Sequence, residues 1–295
     1  MTDPDRPPGH HRPQAARLSP EAMAGARGGV REGLDWLGHP PSRKAGLLFR
    51  GATLLARFVL LGVFRIRITV GGREHASAEG GYLLVAAAHR GWMDPLVVVH
   101  ALPLEPRAWF LGSGPSAFSS RWREWLIRRL GGMLPVWRGG VGVEQHVASA
   151  RAVLDNGGVF VLMPEGGVSG SPDRLAPFRV GAALIALRTR APIVPFAIAG
   201  TGELYVGRRI AVRLLPVTSV AELLGRTWDG TVPEEGTRAE LDLAHRITER
   251  FAEVLGPVVA ELHPGTVDPP ERPRRGRWLT WLLLARPRRT PPAER

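Results

Sequence analysis

His89 and Asp94 stand five positions apart in the segment AAAHRGWMDP. An imidazole that donates one ring N–H to a carboxylate keeps its other nitrogen basic and oriented, which suits it to take a proton from a hydroxyl group. The spacing therefore predicts a general base with an orienting partner. A second interpretation stays open, because an aspartate followed by proline is also typical of a helix start.

The residues around this pair predict the elements that would position it. The apolar run Tyr82–Ala88 indicates a buried strand directly before His89, and the run from Pro95 to Ala101 indicates a helix after Asp94. Ligands of α/β proteins bind beyond the carboxyl ends of the strands. We therefore expect both side chains on the loop between this strand and this helix.

Further apolar segments along the chain predict additional strands and helices. Other strands are predicted at Arg65–Val70, Val159–Met163, Ile193–Ala199 and Ile210–Leu214. Other helices are predicted at Arg121–Leu130, at Val143–Asn156, at Arg179–Arg190 and from Thr237 onward, where Glu240 completes the spacing of a capping box. Strands that alternate with helices predict an α/β fold with a mixed, largely parallel sheet flanked by helices.

The two ends of the chain differ in composition from the middle. Residues 1–41 are rich in Pro, Gly, Arg and His, which predicts a disordered basic arm without a signal peptide. Residues 65–262 carry the predicted domain, and residues 263–295 predict a basic Pro/Arg-rich tail with a short apolar patch. The chain has no cysteine, which excludes disulfides, thiolate metal sites and cysteine nucleophiles.

Residues 42–64 predict an amphipathic helix that associates with a membrane. Arg43, Arg50 and Arg57 recur every seven residues beside a leucine-rich face, and the uninterrupted apolar stretch is too short to span a bilayer. Packing of this helix on the domain core is the alternative. The net charge of +12 indicates an anionic partner, which leaves a phospholipid surface, nucleic acid and phosphorylated small molecules open.

Four segments follow one another in an order that resembles the 1-acylglycerol-3-phosphate acyltransferase family of glycerolipid enzymes. The His-x4-Asp box of the family corresponds to HRGWMD, and its Gly-rich turn with a phosphate-binding arginine corresponds to GGMLPVWR. Its Phe-Pro-Glu-Gly-Thr-Arg-Ser motif corresponds to MPEGGVS, and its last apolar strand to APIVPFAI. The resemblance covers Tyr82–Thr201, and four ordered matches are more specific than one.

The resemblance implies acyl transfer from acyl-CoA or acyl-carrier protein to the hydroxyl of a lysolipid, without a metal, a cofactor or an acyl-enzyme. His89 would be the general base, and Asp94 would orient it. The substrate-binding residues that it implies are Arg138, Glu165, Gly166, Gly167 and Arg179. It further implies an enzyme of phospholipid biosynthesis, bound to the cytoplasmic face of the cell membrane as a peripheral or monotopic protein, with no nucleic acid as partner.

One departure from the family pattern concerns the acceptor. Val168 replaces an arginine that the family uses to grip phosphate. Arg138 and Arg179 could still clamp a phosphate, which favours 1-acylglycerol-3-phosphate as the acceptor. A lyso-aminolipid or glycolipid acceptor stays open, and so do two readings without catalysis: a basic protein that binds nucleic acid, although no such motif is present, and an inactive relative that binds membranes.

Overall fold

The computed structural model describes residues 40–76, 81–91, 93–113, 129–136, 143–167, 175–269 and 274–278, together with Trp125, Ile127 and Thr280. The strands are β1 (Arg67–Gly71), β2 (Tyr82–Ala87), β3 (Ala108–Ser113), β4 (Met133–Val136), β5 (Val159–Leu162), β6 (Ile193–Ala199) and β7 (Arg209–Leu214). The α-helices are α1 (Leu47–Arg57), α2 (Met93–Ala101), α3 (Val143–Asp155), α4 (Gly181–Thr189), α5 (Val220–Leu224) and α6 (Arg238–Leu262). A π-helical segment, Phe58–Val63, continues α1.

The strands form a seven-stranded mixed sheet in the order β1-β7-β6-β2-β5-β3-β4. The pairs from β6 through β2, β5 and β3 to β4 are all parallel, and β1 is parallel to β7. The pair β6 and β7 is antiparallel. The predicted fold class, a mixed and largely parallel sheet flanked by helices, is therefore confirmed.

Helices cover both faces of this sheet. Leu83 of β2 belongs to a buried cluster with α3, α4, α5 and α6, which includes Phe251. Leu84 belongs to a second cluster on the other face, where Leu60 of the π-helical segment and Val97 of α2 lie. Successive side chains of a strand point to opposite faces, so β2 packs on both sides. All six of its residues are buried, which explains its unbroken apolar sequence.

Two strands were not predicted from the sequence. β3 and β4 lie at one edge of the sheet, and their sequences, AWFLGS and MLPV, contain Gly, Ser or Pro, which weaken the strand pattern. Pairing with β5 on one side and β4 on the other extends β3 nevertheless. β1 begins later than predicted, because Arg65 has a left-handed φ of 50° where the chain leaves the π-helical segment. Most of the predicted helix Arg121–Leu130 lies outside the described residues.

Both ends of the described chain contact the domain. The guanidinium of Arg107 lies over the rings of Phe49 and Trp109, at 4.2 and 4.8 Å from their centroids, which ties α1 to β3. At the other end Asp268 is buried. No helix in the described ranges is long and apolar enough to span a membrane. Residues 1–39 of the predicted basic arm and residues 281–295 of the predicted tail lie outside these ranges.

Candidate active site

His89 and Asp94 lie where β2 ends and α2 begins, at the carboxyl edge of the central strands. Nδ1 of His89 is 2.8 Å from Oδ2 of Asp94, so the sequence prediction that the two side chains meet is confirmed. The Asp94 side chain is fully buried, whereas that of His89 is 21% exposed. With its proton on Nδ1, the imidazole donates to the carboxylate and keeps Nε2 as an acceptor. Nε2 has no hydrogen-bond partner among the described residues.

The carboxylate of Asp94 also holds the loop that carries His89. Its Oδ2 accepts the backbone N–H groups of Arg90 at 2.5 Å and Gly91 at 2.8 Å. α2 already begins at Met93, so Asp94 lies in the first turn and binds amides that precede the helix. One oxygen thus orients both the ring and the loop. The sequence analysis missed these two donors, because main-chain amides carry no residue-type signal.

Glu165 lies beside His89 because β5 is the neighbour of β2. Val85 of β2 pairs with Leu162 of β5, so the residues that follow the two strands emerge at the same edge. Oε1 of Glu165 accepts the backbone N–H of His89 at 2.7 Å, and Oε2 accepts that of Ala176 at 3.2 Å. Both carboxylate oxygens thus bind the main chain of this protein. The predicted role of Glu165 in acceptor binding stays a prediction.

Burial raises the pKa of Glu165 above its ordinary value of 4.5, and the two amide hydrogen bonds oppose this rise. Folding therefore favours the protonated carboxyl. The resulting stabilisation is fully present below the pKa of the unfolded chain and is lost as the pH rises through the higher pKa of the folded protein. Above the pKa of the folded protein, the ionised Glu165 lowers the free energy of unfolding relative to a group that does not titrate.

A pH series of urea unfolding on the wild type and on Glu165→Gln tests this linkage. We expect the free energy of unfolding of the wild type minus that of the variant to decrease from acid to neutral pH. Any constant loss from the altered hydrogen bonds shifts the whole curve and leaves its slope unchanged. A difference that stays flat, or that increases with pH, would contradict the raised pKa.

Arg179 folds back over the turn that follows Glu165. Its backbone N–H donates to the carbonyl of Pro164 at 2.7 Å. Gly166 has a left-handed φ of 61°, and a Cβ placed there would lie 2.4 Å from Cδ of Arg179. The structure thus brings Glu165, Gly166 and Arg179 together on one turn beside the His89 loop, with Gly167 next along the chain. Arg138, Val168 and Ser169 lie outside the described residues.

The two glycines of this turn provide a matched pair of substitutions. We expect Gly166→Ala to lower the free energy of unfolding by about 1–3 kcal/mol, because of the left-handed backbone and the displaced Arg179 side chain. Gly167→Ala is the control, since no described atom lies within 4 Å of a Cβ at this position. Urea unfolding checks both variants, and equal losses would show that the contact with Arg179 does not constrain the turn.

The sequence of the domain matches a described family. A sequence model of the family named Acyltransferase covers residues 67–199, from β1 to the end of β6. The region from β1 to β6 therefore matches the acyltransferase family. This match includes His89, Asp94, Glu165, Gly166 and Gly167, and it confirms the family resemblance that the four ordered motifs indicated.

Two individual proteins are also similar to this chain. A 1-acyl-sn-glycerol-3-phosphate acyltransferase of Cocos nucifera is 41% identical over 76 residues, which are 26% of this chain and 24% of that protein. The chain thus spans about a quarter of the length of this curated relative. The crystal structure of the 1-acyl-sn-glycerophosphate acyltransferase PlsC from Thermotoga maritima aligns over 82% of this chain and 94% of its own, with 18% identity and a TM-score of 0.48.

Proposed function

We propose that this protein is a member of the acyltransferase family and an O-acyltransferase that moves a fatty acyl chain from a thioester to the hydroxyl of a lysolipid. The observation that carries the proposal is the 2.8 Å contact between Nδ1 of His89 and Oδ2 of Asp94, at the sheet edge where α/β proteins bind ligands. The donor is acyl-CoA or acyl-carrier protein.

In the proposed reaction His89 is a general base and then a general acid. Nε2 takes the proton of the acceptor hydroxyl while the hydroxyl oxygen forms a bond to the thioester carbonyl carbon. The tetrahedral intermediate then breaks its C–S bond, and the imidazolium returns the proton to the leaving thiolate. The products are an ester and a free thiol. Asp94 stabilises the transient imidazolium and keeps the required tautomer.

For the acceptor we propose 1-acylglycerol-3-phosphate, after which the 1-acyl-sn-glycerol-3-phosphate acyltransferase of Cocos nucifera is named. The exposed Arg179 beside the Gly166 turn offers a guanidinium for its phosphate, and Arg138 would supply a second by its motif position. Because Val168 stands where the family has a third phosphate-binding arginine, lyso-aminolipids and glycolipids remain the alternative acceptors.

A panel of acceptors tests the reaction and the acceptor together. Purified protein is incubated with acyl-CoA or acyl-carrier protein and with lysophosphatidic acid, neutral lysolipids or lyso-aminolipids, and the acylated lipid is quantified. We expect transfer to lysophosphatidic acid and a raised KM for it in Arg179→Ala. The proposed phosphate-bearing acceptor would be contradicted if transfer to a lyso-aminolipid were faster than transfer to lysophosphatidic acid and if Arg179→Ala left the KM unchanged. An absence of transfer from either donor to any acceptor would contradict the proposed reaction.

We further propose that α1 and the π-helical segment attach the protein to a membrane surface. Thr53 and Leu60 face the domain, and Arg57 donates from Nη2 to the carbonyls of Val99 and His100, which fixes the helix on α2. The large apolar side chains that remain exposed on these two elements are Leu47, Leu48, Leu54, Leu55, Phe58, Leu61 and Val63. An apolar face beside arginines suits the boundary of an anionic bilayer. The cytoplasmic face stays a prediction.

Substitution of exposed apolar residues on this face by glutamate tests the attachment. We expect the double substitution of Leu55→Glu and Phe58→Glu to lower binding to anionic vesicles at least tenfold, because it removes apolar area and adds negative charge. Leu241→Glu, on the solvent side of α6, is the matched control. Co-sedimentation measures all variants, and unchanged binding of the double variant would contradict the proposal. Deletion of residues 1–64 is a poorer test, since it removes Leu60 from the core.

A further inference from the structure

Trp278, from the C-terminal segment, lies on the end of the π-helical segment. The ring centroids of Trp278 and Phe64 are 6.2 Å apart with an interplanar angle of 77°, which is an edge-to-face contact. The Trp278 side chain remains 58% exposed, and Val63, the residue before Phe64, is 56% exposed. An exposed indole therefore lies at the end of the segment whose exposed apolar side chains continue those of α1, although Trp278 is far away in the sequence.

The loop between β6 and β7, residues 200–208, holds both partners of this contact. The N–H of Gly207 donates to the carbonyl of Phe64 at 2.9 Å, and the N–H of Val206 donates to the carbonyl of Arg275, also at 2.9 Å. The same loop thus binds the end of the π-helical segment and the residues that precede Trp278. We call residues 200–208 the bracket loop.

Further polar contacts flank Trp278 on both sides. Thr280 exchanges two hydrogen bonds of 2.7 Å with the main chain of Leu204. Glu203 binds Arg274 at 2.6 Å and Arg277 at 2.9 Å. Of these five residues only Leu204 is buried. Because Trp278 itself is exposed, the C-terminal segment is held by these several polar contacts and not by burial of its indole.

A buried polar cluster fixes the chain upstream of this segment. Asp268 is buried and accepts from Nη2 of Arg209 at 3.0 Å and from the hydroxyl of Tyr205. Arg208 donates to the carbonyls of Gly200 and Thr266, both at 2.8 Å. These bonds join residues 266–268 to the bracket loop and to β7. The C-terminal segment is thus attached at two points, through residues 266–268 and through the contacts of Arg274, Arg275, Arg277 and Thr280.

Arginines lie close in the chain to both rings of this contact. Arg275 and Arg277 precede Trp278, and Arg65 follows Phe64; all three are exposed. An exposed indole next to aliphatic side chains and guanidinium groups matches the chemistry of the bilayer interface, where aromatic rings lie at headgroup depth and cations meet lipid phosphates.

We infer that the membrane-binding surface of this protein is built from both ends of the chain, with α1, the π-helical segment and Trp278 contacting one leaflet of an anionic phospholipid bilayer. This inference rests on the proposed membrane association and deepens it. The bracket loop fixes the two elements in one surface, so the second element binds with little further loss of freedom once the first has bound. Trp278 then strengthens binding beyond what the helix alone provides.

Vesicles of phosphatidylglycerol and phosphatidylcholine, without any acyl donor, test this surface. We expect Trp278→Ala to weaken vesicle partitioning about tenfold, as burial of one large aromatic side chain implies, and Trp278→Phe to keep most of the binding. Leu241→Ala is the control on the opposite helical layer. In a Glu203→Gln background, where the segment is less firmly held, the effect of Trp278→Ala should be smaller.

The outcomes separate the inference from the functions on which it rests. Wild-type binding by Trp278→Ala, together with weak binding by Phe58→Ala, would overturn the two-ended surface and leave membrane association by the helix standing. If both substitutions change sedimentation velocity and neither changes vesicle binding, the face is a protein contact and the inference is wrong. Acyl transfer in detergent micelles is scored separately: its absence in the wild type would contradict the proposed reaction alone.

Discussion

Replacing His89 by alanine should lower kcat for acyl transfer by about a hundredfold to ten-thousandfold, the usual contribution of a positioned general base. Without the imidazole, water must take the proton of the acceptor hydroxyl, and the leaving thiolate has no adjacent acid. The fold should survive, because Glu165 binds the backbone N–H of residue 89, which alanine retains. The substitution therefore removes the proposed base without releasing its loop.

Initial rates with the best acceptor of the panel, and thermal unfolding of the same preparations, check this result. His245→Ala is the matched control, since His245 is exposed on α6 and lies on the far side of the sheet from α2. We expect wild-type rates in the control and unfolding temperatures near wild type in both variants. Near-normal transfer by His89→Ala would show that the proposed mechanism is wrong.

Asp94→Asn should lower kcat by about a hundredfold or more with little change in KM, because the amide cannot stabilise the imidazolium by charge. All three donors, His89 Nδ1 and the amides of Arg90 and Gly91, meet a single oxygen of Asp94. The carbonyl oxygen of asparagine can occupy that position and keep the geometry. The side-chain NH₂ then replaces Oδ1, which is buried and has no partner among the described residues, at a cost of about 1–3 kcal/mol of stability.

Comparison with Asp94→Ala separates charge from geometry. Alanine leaves the buried amides of Arg90 and Gly91 without their acceptor, so we expect a larger loss of stability than in Asp94→Asn. Single-turnover rates and urea unfolding on the two variants supply both quantities. A wild-type rate in Asp94→Asn would mean that the negative charge is not needed, and that Asp94 acts by position alone.

Glu165 is the second side chain, after Asp94, whose hydrogen bonds fix the position of the His89 loop. Asp94 holds the His89 loop from the α2 side, and Glu165 holds the same loop from β5 through the backbone N–H of His89. The Glu165 carboxylate also binds the amide of Ala176, just before Arg179. The turn that carries Gly166, and Arg179 which contacts it, are therefore coupled to the proposed base, so that a substitution at Gly166 can affect the reaction without contacting a substrate.

The sequence by itself determined the features that depend on residues close together in the chain. The apolar run of β2, the loop from His89 to Asp94 and the Thr237 cap of α6 were all predicted, and Thr237 does accept the N–H of Glu240 at 3.3 Å. Strand periodicity, helix caps and a loop of six residues are set by local sterics and short hydrogen bonds. The ordered motifs also indicated the family, since each motif is a short segment and their order can be read directly from the sequence.

Only the tertiary structure decided which distant residues meet. The order of strands brings Glu165 to His89, and the helix packing gives Glu240 a bidentate contact with Arg188, at 2.6 and 2.8 Å. The contact of Trp278 with Phe64 joins the two ends of the chain through the bracket loop. Periodicity records which face of an element is apolar but not what covers it, so strand neighbours and contacts between remote segments follow from packing of the whole core.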